Sequence, residues 1–271
     1  MVPPWVPAIP SPPQDEAPPE DQSPEDATTP PTTEGLPQLA PAARFMSSRL
    51  NLGRFASSGD TDNLRRGVGH YFKTGYGGGR GGGGGSGSAV KRFGGTATTA
   101  GALYGVLSPA PDSERTPERD SFEQACRAAS PPEVLVTALV EVLRPIDGTQ
   151  DAEAERKSLA EAMSEFLTVS PNADLLGLTE SQRLSIVARY VALDVYRRLF
   201  LDVGQSIIDN APTIATGLSR MREAKEYIRE KILAAFGRLS KAAGDFTSKR
   251  IVSLVGTALS DAISVFESYT E

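Results

Sequence analysis

The sequence predicts an all-α protein: a helical, bundle-like C-terminal domain over residues 111–271, preceded by a disordered proline-rich acidic tail at 1–43 and a glycine-rich basic segment at 44–110. Three observations carry this. Of the 21 prolines, 13 precede Arg44. Of the 26 glycines, 12 fall between Gly75 and Gly95, so the first hundred residues are too poor in apolar side chains and too rich in breakers to build an ordinary core. Beyond Thr116 apolar residues recur at helical spacing, and no hairpin pattern interrupts them.

The net charge of −6 is segregated along the chain. Residues 1–43 hold seven acids and no Lys or Arg, whereas residues 44–93 hold nine bases against Asp60 and Asp62. In the tail, prolines remove backbone donors and like charges repel, so an extended segment is expected. Its Val2-Pro3-Pro4-Trp5-Val6-Pro7 run contains the only Trp, which reads either as a docking anchor on a polyproline II segment or as an incidental residue of an unstructured tail.

Two short basic helices are expected next. Asp60-Thr61-Asp62 caps a stretch in which Leu64, Val68, Tyr71 and Phe72 share one face, with Arg65, Arg66 and Lys73 directed elsewhere. Upstream, Phe45, Leu50, Leu52 and Phe55 alternate with Arg44, Arg49 and Arg54. Helices below about 12–15 residues are marginal alone, so both are expected to order on a partner or on the C-terminal domain. Residues 74–88 read as a flexible glycine tether. Val90, Phe93, Ala97, Ala100, Tyr104 and Leu107 then define one helix over 89–108 that tolerates its glycines only when tightly packed.

The remainder reads as five to seven helices. Ser130-Pro131-Pro132-Glu133 is a capping box followed by a stripe of Leu135, Leu139, Val142 and Leu143. Leu159, Met163, Phe166 and Leu167 mark the next helix, and Thr179-Glu180-Ser181-Gln182 caps a long one carrying Leu184, Val187, Val191, Val195 and Leu199. After Pro212, Ala224, Ile228, Ile232, Ala235, Phe236 and Leu239 define a helix ending near Gly244, and Ile251, Leu254, Val255, Ala258, Leu259 and Ile263 define the last.

Signals for catalysis are missing. His70 is the only histidine and Cys126 the only cysteine, which excludes an intrachain disulfide, a Cys/His zinc site and a legible nucleophile–base pair. Cys126 is expected as a small buried side chain and His70 as a helix-surface or interface residue. Gly77 to Gly82 matches G-x-G-x-x-G only trivially, with no strand before it, and Lys91 follows Val90 rather than Gly, so no nucleotide cofactor is expected. Glu153, Glu155, Glu161 and Glu165 alternate with Arg156 and Lys157 and are expected on a solvated helix face. No secretory leader or spanning segment is expected, and the lone cysteine fits a reducing compartment, so the chain is expected in the cytoplasm.

Five runs carry a family resemblance: Pro3-Pro4-Trp5-Val6-Pro7, Arg44-Phe45-Met46-Ser47-Ser48, Leu52-Gly53-Arg54-Phe55-Ala56-Ser57-Ser58-Gly59, Leu64-Arg65-Arg66-Gly67-Val68-Gly69-His70-Tyr71, and Phe93-Gly94-Gly95-Thr96-Ala97. Together they resemble the QatB family. The resemblance implies membership of the Qat anti-phage operon, which also encodes an ATPase, a QueC-like enzyme and a TatD-like nuclease, and it implies a component without catalysis of its own. Relatives begin Met-Gly-Thr-Ser, whereas here Val2 follows Met1, so the start is expected to be an internal Met or a trimmed end.

Expected partners are the QueC-like enzyme, for which the N-terminal amine is a candidate acyl acceptor, the ATPase, and the TatD-like nuclease. The expected partner-binding residues are Trp5, Arg44, Phe45, Arg54, Phe55, Arg65, Arg66, Tyr71, Phe72, Lys91, Arg92 and Phe93. Bases interleaved with aromatics also suit a nucleic-acid backbone, which makes a nucleic-acid adaptor the alternative.

Overall fold

The computed structural model describes residues 44–75, 85–109, 117–128, 131–242 and 246–270, and every described element is helical. The described residues belong to one unit, 41–271. Among the described residues four helices precede residue 108: α1 (Met46–Ser58), α2 (Thr61–Lys73), α3 (Gly85–Arg92) and α4 (Gly94–Leu107). Seven follow: α5 (Pro117–Arg127), α6 (Pro132–Leu143), α7 (Gln150–Val169), α8 (Glu180–Val203), α9 (Gln205–Asn210), α10 (Ile214–Ala242) and α11 (Ser248–Ser268).

Caps fix the boundaries much as the sequence predicts. The Asp60 carboxylate accepts from the Asp62 amide, and Thr179 and Gln182 close a reciprocal capping box that starts α8. Pro212 falls between α9 and α10. The box expected at Ser130 lies partly outside the described residues; α6 has Pro131 as its N-cap and buries Val136, Leu139 and Val140 rather than Leu135 and Leu143.

The predicted single helix over 89–108 is two helices, broken at Phe93, whose amide turns back to the Val90 carbonyl at 3.0 Å. The break drives Phe93, fully buried, into the core. Residues 85–88, expected in the tether, already lie in α3. Residues 1–43 and most of the tether, 76–84, lie outside the described residues.

α1 and α2 form a hairpin that packs on the rest of the unit, so ordering on the C-terminal helices is the alternative the structure displays. Ser48 Oγ donates to the Gly67 carbonyl at 2.8 Å, and a Cβ at Gly67 would sit 2.7 Å from Leu52 Cγ, so glycine there lets the helices close. A run of rings then ties the hairpin to the body: Phe45 stacks on Tyr71 at 5.2 Å, Tyr71 meets Phe72 edge-on at 5.0 Å, and Phe72 stacks on Phe266 of α11 at 5.3 Å. Tyr71 Oη donates to Asp202 Oδ2 on α8 at 2.9 Å. Two 13-residue helices would be marginal alone, and this burial is what orders them.

α11 is long and apolar enough to cross a membrane by length and composition. Here Ile251, Val255, Ala258, Leu259 and Ile263 are buried against α2, α4 and α10, which accounts for its apolarity as a core helix.

Because Phe72 joins hairpin and body, Phe72→Ala should lower the stability of the whole chain by about 3–5 kcal/mol in urea unfolding, within a single transition. An unchanged midpoint would mean that the hairpin is not packed as described.

Candidate functional site: a basic hairpin on a buried ionic cluster

Twelve residues were singled out by sequence, and the structure sorts them by chemistry. Trp5, and with it the candidate acceptor amine, lies outside the described residues. The five aromatics, Phe45, Phe55, Tyr71, Phe72 and Phe93, are all buried, at most 7% exposed, so in the folded chain their rings contact its own core and not the surface. Arg44 is half-buried and donates through Nε to the Gly75 carbonyl at 2.6 Å. Arg65 pairs with Asp62 at 3.1 Å and lies over the Tyr269 ring. Arg54, Arg66 and Lys91 are exposed.

The hairpin has only two acids, and both act at the start of α2, Asp60 as cap and Asp62 as the partner of Arg65. The outer side is therefore left basic. On α2 the positions Arg66, His70 and Lys73 fall at i, i+4 and i+7 on one side. Burial is the main cause holding His70 below its ordinary pKa, with the nearby Lys73 and Arg66 charges adding to it. His70 is thus a neutral member of that row near pH 7.

Arg92 leads inward to a cluster that the sequence did not reveal. It pairs through both terminal nitrogens with Asp151 of α7. Asp151 Oδ2 lies 3.2 Å from Nη1 of Arg198 on α8, whose side chain is 3% exposed. Arg198 Nη2 donates to Glu155 Oε1 at 2.6 Å, and its Nε to Asp194 Oδ2 at 2.9 Å. Arg144 Nε approaches Glu155 Oε2 at 3.1 Å, so three guanidinium groups meet three carboxylates.

Helix α4 completes the cluster through the Phe93–Ala97 run. The Phe93 ring lies under the Arg198 guanidinium at 5.6 Å. Gly95 leaves room for Glu155, since a Cβ there would sit 2.8 Å from Oε1. Thr96 Oγ1 donates to Asp194 Oδ2 at 2.6 Å, and Thr99 Oγ1 to Glu155 Oε2 at 3.0 Å. The expectation of a solvated face is thus corrected: α7 turns Glu155 inward, Glu161 and Glu165 are half-buried in ion pairs with Arg197, Lys225 and Arg229, and Lys157 and the partly exposed Glu153 keep to the outer side.

Burial raises the pKa of both Glu155 and Asp194, more than Arg198 lowers it. Asp194 Oδ1 is buried without a hydrogen-bond partner, which also favours a proton there. Tyr190, wholly buried one turn earlier, is held well above its ordinary pKa by burial and by the Asp194 and Glu155 charges. The inner members are sealed from solvent, so this is a joint between α4, α7 and α8 rather than a place where a substrate enters.

Elsewhere, Cys126 is half-buried, its thiol pushed up to about 11 by burial first and by Asp174 and Glu123. A cleft of about 630 Å³ opens between the ends of α4 and α6, lined by Tyr104, Leu143 and Phe246. Its inner wall is Arg119, which binds Glu123 and the Gly105 and Ser108 carbonyls.

Removing the Arg198 charge should leave buried carboxylates unpaired: Arg198→Met is expected to cost about 3–5 kcal/mol in urea unfolding. The acids give a pH signature. A carboxyl that holds its proton more tightly folded than unfolded carries no penalty below its unfolded pKa of about 4, and a growing one as pH rises to its folded pKa. The stability of wild type relative to Asp194→Asn should therefore fall as pH rises from about 4. A difference independent of pH between 4 and 8, by urea midpoints, would show that Asp194 is not shifted upward.

The family model of the Qat anti-phage system associated protein QatB matches residues 84–266. No curated protein and no solved structure matches the chain. The match takes in the Phe93–Ala97 run and every residue of the buried cluster, and it extends over well over half of the sequence. The chain belongs to the QatB family and so to the proteins associated with the Qat anti-phage system.

Proposed function

We propose that the chain is a non-catalytic interaction subunit of its Qat assembly, and that it binds the QueC-like enzyme or the ATPase of the system through the outer side of the basic hairpin. The observation that carries this reading is the charge left on a folded platform. Arg54, Arg66 and Lys91 are exposed, and none has a carboxylate partner among the described residues. Cations held on the packed helices α1, α2 and α3 lower the ordering cost of docking and steer an acidic partner surface toward them.

A nucleic-acid adaptor is the second reading, favoured by the Arg66–His70–Lys73 row. It is the weaker of the two. His70 is neutral near pH 7, so the row presents two charges, and one donor of Lys73 Nζ is already taken by Thr270 Oγ1 at 2.9 Å.

Co-expression of the tagged full chain with the QueC-like enzyme and the ATPase tests the proposal. The chain should co-elute with at least one of them at physiological salt, and combined Arg54→Glu, Arg66→Glu and Lys91→Glu should weaken that association about tenfold or more. Failure of the wild-type chain to co-elute with either would end the partner reading. Tight binding to duplex DNA or RNA with a steep log–log salt slope, abolished by the same substitutions, would replace it with the adaptor.

A further inference from the structure

The exposed large apolar side chains are unevenly placed. Of nine such residues among those described, five lie on three neighbouring elements: Met46 and Leu50 on α1, Leu201 in the last turn of α8, and Ile214 and Leu218 in the first turns of α10. Met46, Ile214 and Leu50 are 64%, 75% and 54% exposed, well beyond what an incidental edge contact leaves open. Met46, Leu50 and Arg54 recur every four residues along one side of α1, and Ile214 and Leu218 repeat the spacing on α10.

These elements run side by side. α1 packs along α9, and Arg49 Nη2 donates to the Asp202 carbonyl at 3.0 Å. A Cβ at Gly53 would lie 3.0 Å from Asn210 Nδ2, and Arg220 of α10 sits over the Phe55 ring at 5.5 Å. α1 is thus flanked in order by the end of α8, by α9, and by the start of α10.

The charge around these side chains is mainly positive. Residues 44–59 and 211–222 contain no Asp or Glu, while Arg49, Arg54 and Arg222 are exposed among them. The acids nearby are Asp202, which accepts from Tyr71, Asp209, which accepts from Gln205, and Glu223, which pairs with Arg220, so the exposed Arg49, Arg54 and Arg222 outnumber the acids not held in an ion pair. The face is therefore apolar with a basic rim.

We infer that this face docks an acidic amphipathic helix of the partner protein, its apolar stripe seated on Met46, Leu50, Ile214 and Leu218 and its carboxylates on Arg49, Arg54 and Arg222. The inference rests on the interaction-subunit reading and deepens it by naming where the partner sits and what it presents. Two apolar pairs, each one turn apart on its own helix, offer a strip that the apolar side of an amphipathic helix can cover. A second copy docked through the same face would bring arginine against arginine, a repulsion that argues against a symmetric dimer here.

The test uses the full chain in the co-expressed assembly. Met46→Glu with Leu50→Glu forms one variant, Ile214→Glu with Leu218→Glu a second, and Val169→Glu, a change at a side chain 73% exposed on α7, the control. Circular dichroism and melting confirm that each is folded. Each double variant should weaken partner binding about tenfold or more, with the control unchanged. Hydrogen exchange in the wild-type assembly should show new protection over 46–58 and 211–222. If wild type binds and both double variants bind equally well, the face is not the docking site, although the interaction-subunit reading stands. If wild type binds no partner, that reading fails and the inference with it. If the double variants instead abolish self-association or binding to anionic vesicles while partner binding persists, the occupant is another copy or a lipid surface and the inference is overturned.

Discussion

A guanidinium taken out of water is tolerable only where carboxylates and a ring face receive it, and Arg198 meets that condition with groups from three helices. Asp194 comes from its own helix, Glu155 and Asp151 from α7, and Phe93 from the break between α3 and α4. Only the Arg198–Asp194 pair can form within α8 alone; Glu155, Asp151 and Phe93 reach the guanidinium only once α7 and the α3–α4 break are in place. The cluster therefore makes the packing of α4 on α7 and α8 close to all-or-none, and the small residues of the Phe93–Ala97 run are what admit α4 to it. Gly95 yields space to Glu155, and Thr96 supplies Asp194 with a donor.

From α4 the order passes outward. α11 packs on α4, α2 packs on α11, and α1 closes over α2, with Phe93, Phe72, Phe266 and Tyr71 marking the route in rings. The basic hairpin is thus the outer layer of a hydrophobic core that meets the ionic cluster at Phe93. Its aromatics face inward, and Arg54, Arg66 and Lys73 are left outward. A surface held in this way presents its charges in fixed positions, which favours fast and selective docking over capture by a segment that must order first.

Much of the helical half is legible in the sequence because its signals are local. The Thr179 capping box, the Asp60 cap, the Pro212 break and the apolar stripes of α7, α8, α10 and α11 all depend on neighbours within a turn or two, and all appear where expected. What was missed depends on partners far away. Glu155 reads as part of an alternating charged face because its partners, Arg198 and Thr99, lie 43 and 56 residues distant. Phe45, Phe55, Tyr71 and Phe72 read as recognition residues because bases interleave with them, and nothing local reveals that Phe266 of α11 stacks on Phe72 or that Arg220 of α10 lies over Phe55. A sealed Glu has a faint signal in hindsight: Ala152, Glu155, Leu159 and Ala162 continue one buried stripe along α7.

The central claim is that the hairpin is folded on the body of the isolated chain and presents its basic side from there. Native-state hydrogen exchange on the chain without partners tests it most directly. Amides of 64–72 should rank in protection with those of 187–199 in α8, both opening only with the global transition. Exchange of 46–72 at the rate of an unfolded peptide, with α8 still protected, would show that the hairpin orders only on contact and would contradict the account.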